Sequence, residues 1–176
     1  MAEALASGLD YVQIRDKELS ARDLFESCLS AAAAPRTARL LVNDRLDVAL
    51  ACGIDGVHLP SGRPSPAGYR AAAGRSLVIG VSCHTIEEVR RAAAEGADFA
   101  LLGPIFTSPG KGPPIGLGVL EQAARESIPV LALGGITLEN ARACMDAGAA
   151  GIAAIRLFEE AGSVADVVRE LRRRCQ

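Results

Sequence analysis

A helix end, a glycine turn and the opening residues of a strand recur three times in this chain. The copies are Ala51-Cys52-Gly53-Ile54-Asp55-Gly56-Val57, Ala93-Ala94-Glu95-Gly96-Ala97-Asp98-Phe99 and Met145-Asp146-Ala147-Gly148-Ala149-Ala150-Gly151. Repeated helix-to-strand units imply strands laid parallel and joined by right-handed helical crossovers. Around these modules, β-rich runs at 11–15, 38–43, 56–59, 77–82, 99–103, 129–133 and 151–155 alternate with helical patterns. The helices are expected near 20–33, 45–52, 65–73, 85–95, 117–126 and 137–147, with a last one near 163–175. Ser20, Thr85 and Thr137 stand where hydroxyl N-caps belong, each with an acid shortly after it, and Gly74, Gly96 and Gly148 stand where helices end.

Even spacing and the absence of a linker favour one domain over residues 1–176. Hydrophobic residues make up 49% of the chain and aromatics 3%, so Ala, Val, Leu and Ile must build the core, which suits a parallel sheet covered by helices. The expected architecture is a TIM-type (β/α) barrel, with an open doubly wound sheet as the second choice. A complete barrel has eight strands, and seven are visible here. Met1–Gly8 reads as the tail of a helix that follows a strand, so the expected fold is a barrel lacking its first strand.

A net charge of −2 argues against a nucleic-acid or anionic-membrane surface, and no apolar run is long enough for a membrane span or signal segment. The five scattered cysteines read as reduced structural thiols in a cytoplasmic protein. Any anion site must therefore be local. The run Tyr11-Val12-Gln13-Ile14-Arg15-Asp16-Lys17 reads as a strand with Gln13, Arg15 and Lys17 on one face, a set suited to phosphate or diphosphate. Further polar groups fall where barrels place their active sites, at the C-terminal strand ends. They are Asn43, Asp44, His58, Ser82, His84, the loop from Phe106 to Gly112 with Ser108 and Lys111, Gly134-Gly135 and Ile155-Arg156. His84 is the best proton-transfer group among them. His58 reads equally well as a core histidine. Gly134-Gly135 suits backbone amides that hold phosphate at a helix N-terminus.

Seven segments, taken in order, resemble the thiamine phosphate synthase/TenI family. They are Gln13-Ile14-Arg15-Asp16-Lys17, Val42-Asn43-Asp44-Arg45, Gly56-Val57-His58-Leu59, Gly80-Val81-Ser82-Cys83-His84-Thr85, Leu101-Leu102-Gly103-Pro104-Ile105-Phe106, Leu133-Gly134-Gly135-Ile136-Thr137 and Gly148-Ala149-Ala150-Gly151-Ile152. The resemblance runs from about Tyr11 to Phe158. It implies an eight-stranded TIM barrel that binds thiazole and pyrimidine phosphates. In a synthase, Mg²⁺ assists departure of diphosphate as a hydroxymethylpyrimidine joins a thiazole phosphate. The resemblance then implies Gln13, Arg15 and Lys17 on the diphosphate, Lys17 as a catalytic cation, Asn43 nearby and Asp44 as the metal ligand. Ser82 and His84 line the pyrimidine side, while Ser108, Lys111, Gly134, Gly135, Ile155 and Arg156 hold phosphate.

Three departures tilt the expectation. After Gly56-Val57-His58-Leu59, where synthases carry a second acidic ligand, this chain reads Pro60-Ser61-Gly62-Arg63. The lid has Gly110 in place of a hydroxyl residue, and Arg156 stands where a small Ser is usual. These changes resemble TenI proteins, which shift a proton on a thiazole carboxylate phosphate without metal. The leading expectation is thus a thiazole tautomerase with His84 as acid/base and no cofactor. The alternatives are a Mg²⁺-dependent synthase and a non-catalytic protein that holds thiamine phosphates. A homo-oligomer is compatible with either enzyme.

Overall fold

The computed structural model describes residues 1–62, 65–74 and 76–175. Its strands are β1 (Tyr11–Ile14), β2 (Arg39–Asn43), β3 (Gly56–Leu59), β4 (Val78–Cys83), β5 (Phe99–Leu102), β6 (Val130–Leu133) and β7 (Gly151–Ala153). Its helices are α1 (Ala2–Ala6), α2 (Ala21–Ala33), α3 (Leu46–Cys52), α4 (Pro66–Ala73), α5 (Ile86–Ala94), α6 (Gly116–Ala123), α7 (Ala141–Asp146), α8 (Arg156–Glu159) and α9 (Val164–Cys175). All strand pairings are parallel and in chain order, β1 through β7, as expected of a barrel lacking one strand. Among the described residues β7 does not pair with β1. The sheet nonetheless curls, because Tyr11 on β1 stacks on Phe99 of β5, their ring centroids 5.2 Å apart.

Strand alternation sorts the side chains into two layers. Outward residues such as Leu40, Val42, Val57, Ile79, Ala100 and Ala132 are buried under the helices. Inward residues Leu41, Val78, Phe99 and Leu101 form a separate cluster inside the curl. Phe99 fills that space, since a Cβ on Gly80 of β4 would lie 2.3 Å from its ring. In a chain so poor in aromatics, one phenyl ring opposite a glycine does the work of several aliphatic side chains.

The repeated modules carry a device invisible as periodicity. Asp98 accepts the Ile79 amide of β4 at 2.7 Å and pairs with Arg70 of α4 at 2.7 Å. In the same way Asp55 accepts the Leu40 amide of β2 at 2.7 Å and pairs with Arg36. Each aspartate thereby ties the start of one strand to the preceding unit. The third module has Ala150 at the equivalent place and joins only through its amide, which donates to the Val130 carbonyl.

Several boundaries differ from expectation for local reasons. The strand expected at 11–15 ends at Ile14, because Asp16 accepts the Glu18 amide and turns the chain. The helix expected from 137 begins at Ala141. Asn140 accepts the Thr137 amide and donates to the Gly135 carbonyl, fixing a non-helical turn first. The strand expected to reach 155 ends at Ala153, and Ile155 instead caps α8. Ser20 and Thr85 cap α2 and α5 as expected, accepting the amides of Asp23 and Glu88.

Candidate functional site

Inward-facing polar residues collect at the C-terminal ends of the first four strands. On β1 and β2, the Gln13 amide donates to Asn43 Oδ1 at 3.2 Å. Asn43 pairs in register with His58 on β3, and His58 Nε2 lies 3.1 Å from Ser82 Oγ on β4. A polar arc Gln13–Asn43–His58–Ser82 therefore crosses four neighbouring strands. Beyond Asn43, Asp44 adopts a left-handed φ of 56° and its amide donates to the His58 carbonyl at 3.0 Å. The Tyr69 hydroxyl of α4 donates to Asp44 Oδ1 at 3.0 Å.

His58 is 6% exposed, and its Nδ1 is buried with no hydrogen-bond partner. Burial, reinforced by the Arg15 charge, pushes its pKa down to about 4, so the ring is neutral at ordinary pH. Arg15 and Lys17 do not share a strand face with Gln13, as the sequence suggested. They occupy the exposed loop beyond β1, and neither forms an ion pair among the described residues. The cations are thus exposed groups at the rim above a fixed amide pair.

The opposite side of the mouth is made of loops. His84 follows β4 and is exposed, with Nδ1 2.6 Å from the Gly103 carbonyl. A carbonyl only accepts, so that nitrogen carries the proton and Nε2 is left as the basic atom. The His84 amide and the Ser61 hydroxyl both donate to Glu88 on α5. Burial would raise the Glu88 pKa, but those bonds outweigh it and hold the carboxyl below its usual value. Gly103 and Pro104 are joined by a cis peptide bond, and the chain then runs to an exposed turn in which the Lys111 amide donates to the Ser108 carbonyl.

Gly134 and Gly135 end β6 with φ of 96° and 65°. They do not stand at a helix N-terminus, since α7 starts at Ala141. A second demand fixes them as glycine: a Cβ on Gly134 would sit 2.6 Å from Pro104, and one on Gly135 2.5 Å from the Thr107 carbonyl oxygen. The double glycine lets the 103–107 loop lie against β6. Ile155 and Arg156 are both exposed at the start of α8, two residues beyond the end of β7.

Asp44, expected as a magnesium ligand, accepts the Tyr69 hydroxyl, and among the described residues no group of three or more His, Cys, Asp or Glu forms a metal-binding cluster. Mg²⁺ commonly takes one or two carboxylates and fills its remaining positions with water and substrate phosphate. One carboxylate next to Asn43 in the chain fits an ion that arrives with a diphosphate. Arg63, standing where a second acid is usual in synthases, lies outside the described residues. Sequence reasoning left His58 undecided and missed Tyr69 and Glu88. The inward parity of His58 on β3, matching Asn43 on β2, was the available signal for the first.

Among known families, the model described as thiamine monophosphate synthase matches residues 1–158. A thiamine-phosphate synthase of Methanoculleus marisnigri is 42% identical, the match covering 97% of this chain and 84% of that protein. One from Halalkalibacterium halodurans is 40% identical, over 88% and 76%. Among solved structures, thiamine phosphate pyrophosphorylase from Pyrococcus furiosus superposes with a TM-score of 0.87 at 33% identity, covering 99% of this chain and 86% of that one. That likeness agrees with the TIM-type fold expected from sequence. The relatives' names favour the synthase alternative over the tautomerase that the departures suggested.

Proposed function

The chain belongs to the thiamine monophosphate synthase family, and from that premise we propose that it joins a hydroxymethylpyrimidine diphosphate to a thiazole phosphate. The observation that supports this reading is the Gln13–Asn43 pair at the ends of β1 and β2, with Arg15 and Lys17 exposed in the loop just beyond β1 and Asp44 next after Asn43. Amides, two cations and one carboxylate at a single rim suit a metal-bound diphosphate better than a lone phosphate. In the reaction a C–N bond forms to the thiazole nitrogen as the C–O bond to diphosphate breaks. Arg15 and Lys17 neutralise the departing charge, and the Gln13 and Asn43 amides fix its oxygens. Bound through Asp44, Mg²⁺ would withdraw further charge from the leaving group. Ser82 contacts the pyrimidine, while the amides at Gly134-Gly135, the Ser108–Lys111 turn and the Ile155-Arg156 corner receive the thiazole phosphate.

One observation favours a second reading. His84 has Nδ1 anchored on the Gly103 carbonyl and Nε2 open at the mouth, an arrangement suited to moving a proton on a bound thiazole. Purified protein given both synthase substrates, with and without Mg²⁺, decides between them. Magnesium-dependent formation of thiamine phosphate, lost in Asp44→Ala and retained in His84→Ala, is expected. Metal-independent tautomerisation of the thiazole carboxylate phosphate, followed by NMR and lost in His84→Ala, would establish the second reading instead.

A further inference from the structure

We propose that Tyr69 is a positioning residue for the metal-bound diphosphate, acting through Asp44, whose carboxylate its hydroxyl holds in place. This rests on the synthase reading with Asp44 as the magnesium ligand, and it adds a residue of α4 to a site otherwise built from strand ends and loops. The starting point is how Asp44 is held. It follows β2 with a left-handed φ of 56°, a conformation that Asp adopts more readily than most residues. Its amide donates to the His58 carbonyl at 3.0 Å, so β3 fixes its backbone. The Tyr69 hydroxyl donates to its Oδ1 at 3.0 Å, so α4 fixes its side chain.

Tyr69 suits that task. It is half-buried and packs against the hydrophobic core on the β1–β4 side of the sheet, while its polar tip reaches the carboxylate. A phenol donating to a carboxylate makes a charge-assisted bond, stronger than one between neutral groups. The next carboxylate along the chain is already engaged, because Arg45 donates to both oxygens of Asp47, at 2.8 and 2.7 Å. The orientation of Asp44 therefore decides how an ion is met here. The Asp44–Tyr69 pair borders an open cleft of about 360 Å³, room for an ion that keeps several waters and takes substrate oxygens. Groups that orient a ligating carboxylate set metal affinity, and their removal commonly weakens it by about 10–100-fold.

Tyr69→Phe keeps the ring and removes the hydroxyl, so it isolates the bond to Asp44. Magnesium diphosphate, and inorganic diphosphate kept free of metal with EDTA, are each titrated by calorimetry into wild type, Tyr69→Phe and Asp44→Ala. Thermal melts confirm that each protein is folded. The expected result is a magnesium diphosphate Kd about tenfold weaker in Tyr69→Phe and weaker still in Asp44→Ala. Metal-free diphosphate should bind Tyr69→Phe as it binds wild type, since Gln13, Arg15 and Lys17 are untouched. Magnesium diphosphate bound by Tyr69→Phe as tightly as by wild type, or more tightly, overturns the inference alone when Asp44→Ala is weakened. A lower melting temperature beside that unchanged affinity is the mark of a purely structural tie. Equal weakening of both ligands in Tyr69→Phe also overturns it, for the hydroxyl would then support the rim in general. Asp44→Ala that binds magnesium diphosphate like wild type overturns the role of Asp44 and this inference with it. Wild-type protein that binds neither ligand overturns the proposed function itself.

Discussion

His58 shows how one residue ties stability to the site. Its pKa is pushed down to about 4 by burial and by Arg15, against an ordinary value of 6.5. The unfolded chain therefore takes up a proton that the folded chain refuses. Stability is complete above about pH 6.5, falls as the pH drops from there, and levels off near pH 4. Each pH step of one between those two values is worth about 1.36 kcal/mol, so the loss amounts to about 3 kcal/mol at most. Urea titrations of wild type and His58→Gln at a series of pH values isolate this effect from that of the carboxylates, because both proteins share the latter. The two curves should converge as the pH falls from 6.5 to 4. Parallel curves would mean that the imidazole is not held neutral by the fold.

At the scale of elements, the aspartate ties and the double glycine set the geometry of the mouth. Asp98→Ala strands the Ile79 amide at the start of β4 and removes the carboxylate partner of Arg70, which keeps its bonds to backbone carbonyls, so a loss of about 2 kcal/mol is expected in urea unfolding. Asp98→Asn, which keeps an acceptor, should lose less. If the two substitutions cost the same, the charge pair and not the amide contact carries the tie. Gly135→Ala meets both a left-handed φ and the Thr107 carbonyl oxygen 2.5 Å from the new Cβ. It should cost more than the roughly 1–2 kcal/mol of backbone preference alone and weaken thiazole phosphate binding by displacing the 103–107 loop. These contacts mark the limit of what the sequence made legible. The modules at 51–57, 93–99 and 145–151 announced glycine turns and parallel strands, because turn chemistry and hydrophobic period are local properties. That Asp55 and Asp98 reach back to the preceding strand could not be read, since the bond depends on register between units. That Pro104, thirty residues earlier in sequence, packs against Gly134 could not be read for the same reason. Arg15 and Lys17 were expected on the strand face and lie in the loop instead, because a single Asx turn at Asp16 ended the strand sooner than alternation implied.

Across the whole molecule, the decisive fact is a curled parallel sheet whose first and last strands are not paired with each other among the described residues. Parallel sheets are normally covered on both faces, and their unpaired edges are the places where backbone groups meet solvent or another chain. Protection should therefore be graded across the sheet. β2 through β5 have both neighbours and largely buried residues, whereas β7 is short and its three residues are half-buried. The Gln13–Asn43 pair stands on β1 and β2 and the His58–Ser82 pair on β3 and β4, so most of the polar arc rests on the firm part of the sheet. The side proposed for the thiazole phosphate, on β6 and beyond β7, rests nearer the open edge. Amide hydrogen exchange followed by mass spectrometry should find the slowest amides in β2–β5, with β7 exchanging markedly faster. Thiazole phosphate should slow exchange at 134–137 and 151–156 more than the pyrimidine diphosphate does. Uniform protection from β1 to β7 that weakens on dilution would instead mean that the two edges are closed in solution by a second copy of the chain. Uniform protection independent of concentration would mean that the sheet closes on itself, and the open edge would then have no part in how the mouth admits its substrates.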